Sequence, residues 1–215
     1  MHDAGGGPVN IYGSSASLSD YYRWHAAIYD WTRWTFLFGR TRLIHVAVER
    51  VQPRRIIEIG CGTGKNLVQL ARAFPMAEIV GMDLSDEMLG KARRKTDRFG
   101  SRITLLKYAY NQATYLAGDP FDLIVFSYCL SMINPGYAEV LHTCQKDLSP
   151  SGCLAIVDFH DTPFRWFREW MGLNHVRLDG QILEALRLSG LRLGHCDLRR
   201  AYGGLWRVLT CLASR

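Results

Sequence analysis

Five segments of strand length, "RIIEIG", "AEIVGMD", "ITLLKY", "FDLIVFSY" and "GCLAIVDF", are apolar nearly throughout and fall between residues 55 and 159. A strand with one wet face alternates apolar and polar residues. Continuous apolar runs therefore require a sheet covered on both faces, which parallel strands joined by helices provide. Between the first two runs, "NLVQLARAF" has the apolar spacing of such a helix. After the fifth run the rhythm changes: a helix near residues 178–189 leads into "LRLGHCDL" and then "LWRVLTCLA". These two strands are too close in sequence for a parallel crossover, so they are antiparallel neighbours. The expectation is an α/β fold with a seven-stranded, mainly parallel sheet carrying one antiparallel strand. No internal repeat is present.

Ahead of the sheet, "DYYRWHAAIYDWTRWTFLFGRTRLIHVAVER" reads as two helices broken near Gly39. At helical spacing Trp24, Ala27, Ile28, Trp31, Trp34 and Phe38 share one face, while Tyr22 and Tyr29 lie on another beside Arg33. Residues 1–19, rich in Gly and Ser, read as a loose arm, and 20–215 as a single domain made of N-terminal helices (20–52) and a sheet core (53–215). No segment approaches the ~20 apolar residues of a membrane span, and no apolar signal core opens the chain, so a cytoplasmic address is expected. The six cysteines lack CxxC or zinc spacing, which argues against a metal and for reduced, structural thiols. The net charge of +6 is uneven: residues 1–55 hold seven Lys/Arg against four Asp/Glu, residues 56–159 ten against eleven, and residues 160–215 nine against five. Basic flanks around a near-neutral middle suit phosphates, carboxylates, an anionic membrane surface or plain solvent, and charge alone does not choose.

The stretch "RRIIEIGCGTGKNL" places a glycine-rich turn after the first strand, where the backbone can approach a ligand closely. A dinucleotide fingerprint counted from Gly60 and Gly62 needs glycine at position 65, which is Lys65, and a P-loop fails by one residue and by Asn66 in place of Ser/Thr. What remains is E-x-G-x-G-x-G at Glu58, Gly60, Gly62 and Gly64, followed by Asp83 at the end of the second apolar run. A carboxylate there accepts both hydroxyls of a ribose.

From "IIEIGCGTG" through "IVGMDLSDEML" and "FDLIVFSY" to "GCLAIVDF", the chain resembles the class I S-adenosylmethionine-dependent methyltransferases, and the resemblance covers roughly residues 20–215. It implies a Rossmann-like sheet with an N-terminal helical lid and S-adenosylmethionine as cofactor. Gly60, Cys61 and Gly62 then approach the methionine moiety, Asp83 holds the ribose, Leu84 and Met88 flank the adenine, and Gly64 and Ser127, at the end of the fourth-strand motif, count among the cofactor-binding residues. Where these enzymes often show an adenine-binding acid, this chain has Ala109, which leaves adenine recognition to backbone groups around Tyr110 or to Asn111. Glu58, inside its strand, is expected to shape the site by accepting hydrogen bonds from loop amides or from the N-terminal helices.

Methyl transfer from a sulfonium needs alignment rather than an obligatory catalytic motif. For the acceptor, "YYRWHAAIYDWTRWTFLFGRTRLI", "FSYCLSMI" and "LRRAYGGLWRV" resemble the bacterial betaine-lipid N-methyltransferases, most distinctively in the Tyr29 to Arg33 match. The resemblance implies a lipid-headgroup amine, diacylglyceryl-homoserine, methylated in successive steps. Phosphatidylethanolamine or another small amine is the alternative acceptor, and a non-catalytic cofactor-binding protein the alternative of another class. Aromatic walls at Tyr22, Tyr29 and Tyr128 suit a growing quaternary ammonium. A headgroup carboxylate suits a guanidinium, Arg33 first and Arg40 or Arg42 in reserve. His160 is a candidate to take the amine's proton, with Asp161 or Tyr128 to orient it, although a purely structural His160 is equally open. In "PFRWFREWMGL" Phe164, Trp166, Phe167, Trp170 and Met171 share one helical side, which reads either as an interfacial helix contacting a membrane surface or as a lid. Nucleic acid is not expected, because "FSYCLS" stands where base-amino methyltransferases carry an Asn/Asp-Pro-Pro-Tyr/Phe motif.

Overall fold

The computed structural model describes residues 39–110, 119–133 and 136–215, which lie within one compact unit, Phe38–Arg215. Along the chain run α1 (Arg40–Val48), β1 (Arg55–Ile59), α2 (Lys65–Ala73), β2 (Glu78–Asp83), α3 (Asp86–Thr96) and β3 (Ile103–Lys107). Then follow β4 (Phe121–Ser127), α4 (Tyr137–Asp147), β5 (Leu148–Asp161), α5 (Arg165–Leu173), α6 (Gln181–Leu188), β6 (Arg192–Ala201) and β7 (Trp206–Ser214). The sheet order is β3-β2-β1-β4-β5-β7-β6. All strand pairs are parallel except those of β7, which runs antiparallel to both β5 and β6. The five apolar runs and the two later strand segments of the sequence are these seven strands, with β7 antiparallel to its neighbours. Chain order reverses between β1 and β4, and this opens a crevice at the carboxyl ends of those strands.

The registers show why the runs are apolar. Ile57, Ile124 and Leu154 are lateral partners across β1, β4 and β5, as are Ile59, Phe126 and Ile156. All six belong to a core that also takes Val140 and Leu141 from α4 and Ile182 and Leu186 from α6. Helices α1 and α2 cover the opposite face. There α1 begins at Gly39, whose φ of 89° no side chain adopts easily and where an added Cβ would lie 3.1 Å from Val157 Cγ2 on β5. The break expected near Gly39 is thus the N-terminal boundary of α1; the aromatic helix expected before it lies outside the described residues. Helix α3 starts where its sequence directs, with Ser85 Oγ accepting from Met88 N at 3.3 Å and Asp86 and Glu87 in the first turn.

Two of the six cysteines depart from the reduced state expected of them. Cys196 and Cys211 are directly opposed across β6 and β7, with Cα atoms 4.2 Å apart, and form a disulfide. Pairing of two strands creates this proximity, which a separation of 15 residues in sequence does not reveal. Cys61, Cys129, Cys144 and Cys153 take part in no disulfide.

Candidate active site

The loop after β1 turns tightly because Gly60, Gly62 and Gly64 take φ values of 71°, 54° and 71°. Its path is fixed from both sides. Cys61 N donates to Met82 O at 2.8 Å, and Gly62 N donates to Asp83 Oδ2 at 2.7 Å. Ser85 N donates to Asp83 Oδ1 at 3.0 Å, so each carboxylate oxygen carries one backbone bond. An ionised carboxylate has about four lone-pair sites, which leaves one per oxygen for two vicinal hydroxyls. Leu84, 47% exposed, stands beside it on the rim, whereas Met88 is buried against the sheet.

The three glycines do different work. A Cβ on Gly60 would lie 2.4 Å from Cys129 Sγ, so the loops after β1 and β4 touch there. A Cβ on Gly64 would meet Ala92 Cβ at 2.9 Å, which makes this glycine the point where α3 approaches the start of α2. The missing side chain there makes room for helix packing. The Cys61 thiol is buried, and burial pushes its pKa well above the usual range, so it stays protonated beside the loop.

Glu58 is buried in β1, and its Oε1 accepts from Asn66 Nδ2 at 2.9 Å. This partner is the second residue of α2; most of the N-terminal helical segment, also expected as a donor to Glu58, lies outside the described residues. The asparagine that removed the phosphate-loop reading is thus the residue that ties α2 to β1.

Several other expected contacts are engaged elsewhere. Ser127 is buried with its hydroxyl accepting from Arg40 Nε at 2.8 Å, so it braces α1. The Arg40 guanidinium also lies 5.8 Å from the Tyr128 ring centroid. Arg42 is paired with Asp197 at 2.8 Å, away from the crevice. Tyr110 turns its side chain into the core, where its hydroxyl donates to Asp147 Oδ2 at 2.5 Å, so only main-chain groups of Ala109 and Tyr110 remain for a ligand. Tyr22, Tyr29, Arg33 and Asn111 lie outside the described residues.

At the end of β4, Tyr128 adopts φ 56°, unusual for a residue with a side chain, and donates N–H to Val157 O at 2.8 Å. Its ring meets Phe159 edge-on at 4.8 Å, and burial raises the pKa of its phenol. The turn it begins is held by Asp158, a fully buried acid that the sequence reading passed over. Asp158 Oδ2 accepts from Cys129 N at 3.1 Å and Ser131 N at 3.2 Å, and Oδ1 accepts from Phe159 N at 2.8 Å. Burial pushes its pKa up to about 6, against the opposing pull of those hydrogen bonds. A signal was available, since an acid inside the apolar run "GCLAIVDF" needs partners as much as Glu58 does.

His160, buried at the end of β5, lines a small hollow of ≈ 10 Å³ with Leu130, Ser131, Arg177, Asp179 and Gln181 among others. Burial lowers its pKa, so the ring is neutral near pH 7, and its Nδ1 has no partner among the described residues. Asp161 is committed to Arg207, which contacts both carboxylate oxygens and holds its pKa below the usual range, so orienting an amine is not its task. Among the described residues no group of His, Cys, Asp and Glu could hold a metal, and no helix is long and apolar enough to cross a membrane.

Residues 56–152 match the family described as "Methyltransferase domain". The trans-aconitate 2-methyltransferase of Methylobacterium nodulans is 32% identical over 136 residues, 62% of this chain and 48% of the relative. The demethylmenaquinone methyltransferase of Thermus thermophilus is 30% identical over 124 residues, 58% of this chain and 55% of the relative. The chain thus spans about half the length of the curated relatives it matches. Among solved structures, the 1,6-didemethyltoxoflavin-N1-methyltransferase of Burkholderia thailandensis superposes with a TM-score of 0.73 at 16% identity, covering 100% of this chain and 93% of that one. The N-methyltransferase NodS of Bradyrhizobium japonicum gives 0.67 at 20% identity, covering 82% and 85%. At such identities the likeness shows the fold.

Proposed function

We propose that the chain is a class I S-adenosylmethionine-dependent methyltransferase, a reading supported by the match of residues 56–152 to a methyltransferase domain, and that it transfers the methyl group of S-adenosylmethionine to a lipid-headgroup amine, with diacylglyceryl-homoserine as acceptor. The observation that carries the donor half is the Asp83 carboxylate, clamped by Gly62 and Ser85 N–H and still able to accept two ribose hydroxyls. S-adenosylmethionine supplies an electrophilic methyl group for in-line displacement, and the chain's own residues align the partners. The Gly60–Gly62 turn and the Tyr128–Ser131 turn meet at Cys129 and form the floor of the crevice. His160, neutral and with an open Nδ1, accepts the proton of the incoming ammonium.

The acceptor half is supported by the resemblance around Tyr29 to Arg33, by the N-methyltransferases among the fold neighbours and by α5. On α5 the apolar side seen in the sequence divides in two. Phe167 and Met171 pack inward, with Phe167 stacked 5.6 Å from Trp206, while Phe164, Trp166, Trp170 and Leu173 are exposed. An exposed aromatic ridge beside the end of β5 suits contact with lipid headgroups. Replacing Trp166 and Trp170 together by Ser is expected to weaken co-sedimentation with anionic vesicles by at least about tenfold, given ~1.5–3 kcal/mol per buried aromatic side chain. Vesicle binding equal to wild type would remove the membrane role of α5.

A second reading follows from relatives named for trans-aconitate, in which a carboxylate oxygen replaces the amine as nucleophile. Purified protein with labelled cofactor, offered homoserine lipid, ethanolamine lipid and trans-aconitate in parallel, separates the readings. Successive methyl additions to homoserine lipid are expected, whereas transfer to trans-aconitate alone would replace the acceptor. Absence of S-adenosylmethionine binding by calorimetry would favour a non-catalytic protein. In the same assay His160→Ala is expected to lower turnover by ~10²-fold near pH 7, the usual contribution of a positioned base. Unchanged turnover from pH 6 to 9 would remove that role.

A further inference from the structure

Two side chains that line the small hollow at the end of β5, His160 and Ser131, are more than nine-tenths buried, at 8% and 3% exposed. His160 Nδ1 and Ser131 Oγ both lack a hydrogen-bond partner among the described residues. Buried polar atoms are rarely left so, and here two stand on one space. The main chain holds both residues where they are. Ser131 N donates to Asp158 Oδ2 at 3.2 Å, Arg177 N donates to Ser131 O at 3.0 Å, and Gly180 N donates to His160 O at 2.9 Å. The Ser131 hydroxyl is close enough to the Asp158 carboxylate to help hold its pKa down, and its oxygen keeps lone pairs to accept with whichever way its proton turns.

A buried water needs room of ~10–15 Å³ and two to four polar partners. The hollow, at ≈ 10 Å³, has that room. Nδ1 and Ser131 Oγ are two partners, and Asp179 on the same wall is a third. Its carboxylate oxygens take one bond each, from Gln181 N at 3.2 Å and Arg177 Nε at 2.8 Å, and keep spare lone pairs. We propose that one bound water bridges His160 Nδ1 and Ser131 Oγ, and that Ser131, by holding it, is a positioning residue for proton transfer to His160. The transfer rests on the amine-methylation reading above. The hollow is too small for the amine itself, so the ammonium passes a proton to the water as the water passes one of its own to Nδ1. The freed nitrogen lone pair then forms its bond to the methyl carbon as the carbon–sulfur bond breaks, and the imidazolium keeps the proton. Its new Nδ1–H donates to the same water, which turns a proton toward the Asp179 carboxylate.

A crystal structure of the full chain is expected to show one water within about 2.7–3.2 Å of both Nδ1 and Ser131 Oγ. Ser131→Val keeps the main-chain bonds and fills the space with methyl groups; Ser131→Ala, the milder change, carries the same test if valine does not fold. With the water displaced, the imidazolium loses the acceptor of its Nδ1–H, so the His160 pKa followed by NMR without ligand is expected to fall by about one unit. The charged neighbours of the ring, Asp161, Arg207, Asp179 and Arg187, are unchanged in the variant. Turnover of homoserine lipid is expected to drop about tenfold, part of the ~10²-fold effect of a positioned base, with KM and S-adenosylhomocysteine affinity within about twofold. A hollow without water, or a His160 pKa equal to wild type, would overturn the site. A lowered pKa with unchanged turnover would overturn the relay and leave the proposed function standing. The water and the pKa shift as expected, without methylation of any amine lipid by the wild-type chain, would keep the site and overturn the amine-methylation reading.

Discussion

Asp83→Ala is expected to abolish measurable cofactor binding while leaving the chain folded. The carboxylate offers its remaining lone pairs to two ribose hydroxyls, and hydrogen bonds to a charged group contribute ~1.5–3 kcal/mol each. Losing both corresponds to a Kd higher by about 10²- to 10⁴-fold. The same substitution removes the acceptor for Gly62 N, at 2.7 Å, and so loosens the turn that must lie against the ligand. Asp83→Asn keeps one oxygen and is expected to fall between wild type and alanine. Calorimetry with S-adenosylhomocysteine measures all three, with circular dichroism to check the fold. An affinity within threefold of wild type for Asp83→Ala would remove the ribose assignment.

The largest effect on stability is expected at Asp158. Its carboxylate is fully buried and accepts three backbone N–H groups, from Cys129, Ser131 and Phe159. Asp158→Ala leaves those donors buried, at ~1–3 kcal/mol for each, a sum comparable to a large part of the 5–15 kcal/mol that holds a typical domain. The acid also gives stability a pH dependence of unusual sign. In the unfolded chain it titrates near ~3.9, whereas burial raises it to about 6 in the folded one. Between those values the folded state holds a proton that the unfolded state has released. Its contribution is therefore greatest below pH ~4 and declines as pH rises to about 6, by roughly 3 kcal/mol in total. Urea unfolding from pH 4 to 7 is expected to show this decline in the wild type and not in Asp158→Ala, relative to the rest of the titration curve. A variant with the wild-type slope would show that the carboxyl does not titrate there.

The two acids inside apolar strands show how far sequence reading reaches. Glu58 drew notice because glycines follow it, yet its partner Asn66 was read only as a failed phosphate-loop residue. Asp158 sits in an equally apolar run and escaped notice because His160 and Asp161 beside it carry more familiar chemistry. In both cases the chain announces a buried charge but not its partner, since the partner comes from a helix or turn that only folding brings near. Asp161 and Arg42 failed as site candidates for the related reason that Arg207 and Asp197, distant in sequence, hold them.

From its order of residues alone, this chain determined a mainly parallel sheet of seven strands with one reversed, a glycine turn after the first strand, and an acid at the end of the second. These are local matters of apolar run length, backbone freedom and the spacing of a strand from the turn it feeds. Only the tertiary structure decided which glycine admits a neighbouring helix, that Cys196 and Cys211 meet, that Asp158 pins the turn after β4, and that Gln181 and His160 share one hollow. Each of these depends on register or packing between segments far apart in the chain, and one residue of slip in a strand would turn every such side chain to the other face.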